Sequence, residues 1–267
     1  MRQRTFLTGT LLTAILMTAI AGAIRGLPDT FRAQVTTGSC INGYRISSYP
    51  LKTANANPLG IIKGSDGNLW FAENAVSKIG RITPAGVIDE FAVSGQPWDI
   101  TAGFDNNLWF TQPATQQIGK ITVLGAASQV YTPPGPSGPY RITSGADHQL
   151  WFSDTSWIES VAIGAAAPQV YNVGGAPWDV TAGPDNNIWY TIQGQGVGKI
   201  TTGGTSVNYT TSGAGPYGIT AVPGGDVWFG MADKIGRITT GGNITYYPSG
   251  VVWNLAPDAD GNVWFVI

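Results

Sequence analysis

Fourteen residues, PWDITAGFDNNLWF at 97–110, return almost unchanged as PWDVTAGPDNNIWY at 177–190. Close variants open at Pro58 (PLGIIKGSDGNLWF), Pro139 (PYRITSGADHQLWF), Pro216 (PYGITAVPGGDVWF) and Val252 (VWNLAPDADGNVWF). The period is about 40 residues. A chain of such units must stack them or close them into a ring, because one unit cannot bury its own apolar face.

Inside each unit, side chains alternate with period two, as in Trp98-Asp99-Ile100-Thr101. A tight turn rich in Asp, Asn and Gly follows, such as Asp66-Gly67, and then a second apolar strand. A third strand is visible as KIGRIT (78–83), QIGKIT (117–122), GVGKIT (196–201) and KIGRIT again (234–239). A fourth ends on an aromatic, in VIDEF, SQVY, SVNY and ITYY. Four short strands per unit, with no helical patterning, predict an all-β protein: a β-propeller of four-stranded antiparallel blades. The motif tryptophans Trp70, Trp109, Trp151, Trp189, Trp228 and Trp264 are expected in the core, each burying about 150–250 Å² between blades.

The two ends predict how the ring closes. The chain stops at Ile267, after only two strands of its last unit. Val35-Thr36-Thr37-Gly38 matches the third-strand ending at 238–241, and Tyr44–Leu51 reads as a fourth strand. Two strands from each end would complete one blade, giving six in all and leaving no open sheet edge. Ahead of this, Arg2 and Arg4 precede an apolar run from Phe6 to Ile20 and small residues at 19–23, the layout of a secretory signal peptide. The organisation expected is therefore a signal peptide over 1–23, a linker over 24–34 and the propeller over 35–267, with a secreted, periplasmic or cell-surface location. No stable membrane insertion is expected after cleavage. Cys40 is the only cysteine, so no internal disulfide can form. Net charge is −2 with no basic run, which argues against a nucleic-acid partner.

At GNLWFAEN…SKIGRITPAGVIDEF (67–91) the chain resembles the virginiamycin B lyase, or streptogramin B lyase, family, and the likeness runs through residues 58–267. That resemblance implies a seven-bladed propeller that linearises cyclic streptogramin B antibiotics by metal-assisted elimination. It also implies a catalytic histidine directly after a blade-opening proline, a glutamate before that proline, and a further metal-binding glutamate after a Trp-Phe pair. The post-proline positions here are Leu59, Trp98, Tyr140, Trp178, Tyr217 and, by alignment, Trp253. None is histidine. Asn57, Gln96, Gly138, Ala176 and Gly215 precede the prolines, and Glu73 and Asp154 follow Trp-Phe pairs. The single histidine, His148, lies in a turn and reads as solvated.

If the family's geometry holds, Trp98, Tyr140, Trp178, Tyr217 and Trp253 ring one mouth of the central channel, with Asp99, Arg141, Asp179 and Asn254 beside them. Flat aromatic faces with polar neighbours suit a small molecule or a glycan. The same residues could instead plug the channel, with Asp99 and Asp179 capping strand starts or pairing with Arg141. The function expected is a non-catalytic, ligand-binding exported propeller. The alternatives are a divergent metal-dependent lyase acting on streptogramin B-type cyclic depsipeptides, for which Mg²⁺ is the expected cofactor, and a structural surface platform.

Overall fold

A computed structural model describes residues 40–41, 44–45, 48–135, 137–213, 215–258 and 261–266. Five four-stranded antiparallel sheets succeed one another along the chain, each with its strands in sequential order. Blade 1 is Pro58–Lys63, Leu69–Glu73, Lys78–Ile82 and Ile88–Ala92. Blade 2 is Ile100–Ala102, Leu108–Gln112, Gln117–Ile121 and Ala127–Tyr131. Blade 3 is Arg141–Ser144, Gln149–Ser153, Trp157–Ala162 and Gln169–Asn172. Blade 4 is Pro177–Ala182, Ile188–Ile192, Gly196–Ile200 and Ser206–Thr210. Blade 5 is Ile219–Ala221, Val227–Gly230, Lys234–Ile238 and Ile244–Pro248. A two-stranded sheet, Asn254–Pro257 with Val263–Val266, follows, and Cys40–Ile41 pairs with Tyr44–Arg45. The first strands of successive blades lie side by side, so the fold is the β-propeller expected from the repeat.

Each motif residue has a mechanical task. In blade 1, Asp66 accepts hydrogen bonds from the Asn68 amide at 3.1 Å and from Trp70 Nε1 at 3.1 Å, tying the turn to the second strand. Asp105, Asp147 and Asp185 hold Trp109, Trp151 and Trp189 in the same way at 3.0, 3.1 and 2.9 Å. The residue after each aspartate is left-handed: Gly67, Asn106, His148 and Asn186 have φ of 77, 61, 64 and 62°. That is why Gly and Asn dominate this slot. His148 is thus a turn residue, exposed and stacked on Phe104 at 4.1 Å between ring centroids.

Trp70, Trp109, Trp151, Trp189 and Trp228 stack on the fourth-strand aromatics Phe91, Tyr131, Tyr171, Tyr209 and Tyr247, with centroids 5.3–5.9 Å apart. Their outer faces pack on the following blade, as Trp70 does on Ile100, Leu108 and Phe110. The first four are buried, whereas Trp228 and Trp264 keep contact with solvent. The sheet that follows Trp228 has only two described strands to cover it.

The neighbouring aromatic of the second strand faces the opposite side. A Cβ on Gly80, Gly119, Gly198 or Gly236 would overlap the ring of Phe71, Phe110, Tyr190 or Phe229. The third strand therefore carries glycine opposite those rings. Phe265 holds this position in the two-stranded sheet and is 42% exposed.

The closure scheme is met in one place and differs in another. Val35–Gly38 lies outside the described residues. Among the described residues of 44–51, only Tyr44–Arg45 forms a strand, and its described partner is Cys40–Ile41 rather than the last sheet. Tyr49 nevertheless lies against Gly86 of blade 1 as Phe91 lies against Gly125 of blade 2 and Tyr209 against Gly242 of blade 5. Tyr49 and Leu51 pack on Leu69, Phe71, Ile82 and Ile88. Glu90 fixes the segment by accepting from the Thr53 amide at 2.8 Å and its hydroxyl at 2.6 Å. Tyr49 and Leu51 thus occupy the packing position of a fourth strand ahead of blade 1.

Candidate functional site

Each blade-opening proline extends the chain, and the aromatic after it is anchored through its own carbonyl by the preceding blade. The Tyr140 carbonyl accepts from Thr111 Oγ1 at 2.8 Å, Trp178 from Ser153 Oγ at 2.7 Å, and Tyr217 from Thr191 Oγ1 at 2.9 Å. Where the second strand of the preceding blade carries Ala72 or Gly230 instead of a hydroxyl, a first-strand amide does the work. Gly60 N donates to Trp98 O, and Gly218 N to Trp253 O, both at 3.1 Å. All five aromatics are thus held at equivalent places in successive blades.

Their rings meet in two groups. Trp98 meets Tyr140 edge to face, with centroids 5.9 Å apart and planes at 88°, and Tyr140 meets Trp178 at 5.6 Å and 30°. Tyr217 and Trp253 approach to 4.5 Å. Four of these rings are partly buried and Trp253 is 45% exposed. The five side chains expected to form one ring thus make a contiguous run of three and a separate pair.

The residue after each aromatic serves the frame. Asp99 Oδ2 accepts from the Ile142 amide of blade 3 at 3.1 Å, and Asp179 Oδ2 from the Ile219 amide of blade 5 at 2.9 Å. Asp179 Oδ1 and Asn254 Oδ1 accept from the amides that follow them, at 3.0 and 2.9 Å. Arg141 Nε stands 3.8 Å from Asp179 Oδ1, too far for a hydrogen bond but close enough for charge attraction. Burial pushes the Asp99 carboxyl up to about 6, with Arg141 pulling it down and Asp179 adding to the rise. Asp179 is also pushed upward by burial, opposed by Arg141 and its two amide donors.

These residues do not fit a Mg²⁺ centre. Both aspartates spend oxygens on backbone amides, and the positive charge between them is the Arg141 guanidinium. A dedicated hard-cation site needs more free oxygens than remain. Among the described residues no cluster of three or more His, Cys, Asp or Glu is placed to hold a metal.

One position further along the second strands lies a row that includes both acids after Trp-Phe pairs, Glu73 and Asp154. Glu73, Gln112 and Asp154 are fully buried there, and the same slot holds Ile192 in blade 4 and Met231 in blade 5. Both side-chain polar atoms of Glu73 and of Gln112 lack hydrogen-bond partners among the described residues. Burial, with the Glu90 charge adding to it and Lys78 opposing, pushes Glu73 up to about 7. Only alignment of the blades by register makes this row visible in the sequence.

A surface depression of about 520 Å³ lies elsewhere, on the outer side of blade 1. Its cations are already matched: Lys52 and Arg81 sit 3.4 and 2.7 Å from Asp89, and Lys78 sits 2.8 Å from Glu90. Among the described residues no helix is long and apolar enough to cross a membrane.

Comparison with known proteins agrees with this geometry. The model of the virginiamycin B lyase family matches residues 30–155 and 93–267. A solved streptogramin B lyase structure is similar at 31% identity over 83% of this chain and 80% of that one, with a TM-score of 0.77. A catalytically inactive virginiamycin B lyase from Staphylococcus aureus, solved with quinupristin, is 32% identical over 83% and 81%, also with a TM-score of 0.77. Hydrazine synthase from Kuenenia stuttgartiensis shares the fold alone, at 14% identity over 85% of this chain and 77% of that one, with a TM-score of 0.69. By sequence and by blade geometry, the chain belongs to the virginiamycin B lyase family.

Proposed function

We propose that this chain is an exported, non-catalytic member of the family that binds a small molecule or a glycan at the channel mouth. The observation that carries the reading is the contiguous run Trp98–Tyr140–Trp178 above Asp99, Arg141 and Asp179. Aromatic faces offer stacking area, and the charged layer beneath offers orienting hydrogen bonds, the usual composition of a ligand site. Tyr217, Trp253 and Asn254 extend it on the other side. Catalysis by the family's route is disfavoured because no post-proline position carries a histidine. A general base matched to neutral pH is what such an elimination needs.

A panel of glycans and small aromatic or cationic compounds, screened by calorimetric titration, tests this. A ligand should be found whose affinity falls about tenfold or more in Trp98→Ala and Trp178→Ala, a loss of about 1.4 kcal/mol or more. Normal binding by both variants would remove the mouth from consideration. The rival reading is a divergent lyase. Mass spectrometry of streptogramin B incubated with the protein and Mg²⁺ decides it, since ring opening lost in Asp99→Asn would overturn the non-catalytic assignment.

The same reading includes export through a leader over 1–23 and a six-bladed ring whose last blade takes strands from both ends. Two features support the composite blade: Tyr49 seated against Gly86, and Phe265, 42% exposed, in a sheet with two strands among the described residues. The exported chain should begin after residue 23. Deletion of 24–40 should lower the unfolding midpoint, and an unchanged midpoint would refute the composite blade.

A further inference from the structure

Blade 3 breaks, at one position, the glycine pattern of the other four-stranded blades. Glu159 stands on its third strand where blades 1, 2, 4 and 5 have Gly80, Gly119, Gly198 and Gly236, the residues that face the second-strand aromatic ring. Its side chain is fully buried, with 0% exposure. Asp154, at the end of the second strand, is equally buried. One oxygen of Asp154, Oδ1, is used, accepting from the Ser156 and Trp157 amides at 2.6 and 2.9 Å. That turn aims the other oxygen, Oδ2, inward.

Asp154 Oδ2 and Glu159 Oε1 converge on Gly135 of the covering Pro133-Pro134-Gly135 loop. A Cβ there would overlap Asp154 Oδ2 and stand 2.8 Å from Glu159 Oε1. Glycine is what allows the loop to close over the two carboxylates. Three oxygens in this space, Asp154 Oδ2 and both oxygens of Glu159, have no hydrogen-bond donor among the described residues. Neither acid forms an ion pair with a described lysine or arginine, in contrast to Glu90 with Lys78 or Asp179 with Arg141.

Two adjacent carboxylates cannot both stay ionised in such surroundings without positive charge between them. A single proton shared by the pair would satisfy at most two of the three oxygens. A cation can bond all three. The donors are all oxygen, which selects a hard ion, and a bidentate glutamate with a monodentate aspartate is a common part of calcium coordination. We propose that Asp154 and Glu159 hold a divalent cation of the calcium class inside blade 3, with main-chain carbonyls or water completing its shell. Burial and the neighbouring Asp154 charge push Glu159 up to about 8, which expresses the same lack of a counter-charge. The site is built on Glu159, at a position where blades 1, 2, 4 and 5 carry glycine.

The test uses the full chain, freed of metal with EDTA, desalted and titrated with CaCl₂ or MgCl₂ by calorimetry and thermal unfolding. One Ca²⁺ should bind per chain, and at a hundredfold excess over Kd the unfolding midpoint should rise by about 5 °C or more. Asp154→Asn should weaken Ca²⁺ at least tenfold. Glu159→Gly installs the residue found in four other blades, so it should fold while losing the calcium response; Glu159→Gln is the second variant should that one misfold. Trp98→Ala should leave the response intact, which separates this site from the ligand reading. Absence of calcium binding in the wild type would overturn the proposal, as would full binding in both Glu159 variants. A carboxylic-acid carbonyl band in the infrared spectrum at neutral pH, lost in Glu159→Gln, would replace the cation with a shared proton.

Discussion

Trp189→Ala is expected to destabilise the protein by about 3–5 kcal/mol, among the largest losses a single core substitution gives. The indole has 0% exposure and packs with Val197, Ile219, Val227 and Phe229 at the junction of blades 4 and 5. Its face stacks on Tyr209 at 5.9 Å, and Lys199 Nζ lies 5.2 Å from the ring centre. Its Nε1 donates to Asp185 at 2.9 Å, so the substitution also loosens the turn that starts the strand. Removing it opens a cavity between two sheets whose backbones are pinned by hydrogen bonds and cannot collapse into it. Urea unfolding should show the loss as a lower midpoint with an unchanged slope. Trp228→Ala should cost less, because that ring already meets solvent. Equal losses in the two variants would contradict the view that coverage by the following blade sets the value of each tryptophan.

Stability should fall, not rise, as pH increases from about 4 to about 8. The cause is a set of acids whose folded-state pKa lies above the unfolded value. Glu73 moves from 4.5 to about 7, and Asp99 from 3.8 to about 6, both chiefly through burial. Between those values the folded protein holds protons that the unfolded chain has released. Their stabilisation is therefore full at low pH and lost as pH passes through the folded values. Glu73 alone can contribute up to about 3 kcal/mol of this change. Glu90 acts in the opposite sense. Lys78 and the two donors of Thr53 outweigh its burial and hold it at about 2, so its contribution disappears as pH drops from about 4.5 toward that value. The thermal midpoint should consequently peak at about pH 4.5, where the two windows meet, and decline above it. Glu73→Met places in blade 1 the residue that blade 5 carries as Met231, and should flatten the profile above pH 5. A wild-type midpoint that is the same at pH 5 and pH 8 would refute the account.

Much of the architecture was legible because its determinants are local and repeated. An aspartate two residues before an asparagine and four before a tryptophan closes the same turn in blades 1, 2 and 4, and the structure shows the same bonds each time. The left-handed slot after it explains His148 without any appeal to chemistry. Equal register in equal blades likewise places the post-proline aromatics Trp98, Tyr140 and Trp178 in neighbouring positions. The buried acids were not readable in this way. Glu73 and Asp154 appeared in the sequence only as acids after a Trp-Phe pair, and Glu159 as an ordinary polar residue of a strand. Their significance depends on which donors approach them, and those donors come from other segments: Lys78 and Thr53 reach Glu90, while no described donor reaches Glu159.

The sequence by itself determined the blade, its turns, its period and the family, because each rests on contacts within about 40 residues. Only the tertiary structure decided what the polar residues beside the post-proline aromatics are free to do. Asp99 and Asp179 turned out to be committed to amides of the next blade, with Arg141 as their counter-charge. The physical reason is that hydrogen-bond satisfaction and burial are properties of neighbours brought together across blades, and spacing along one chain carries no record of them.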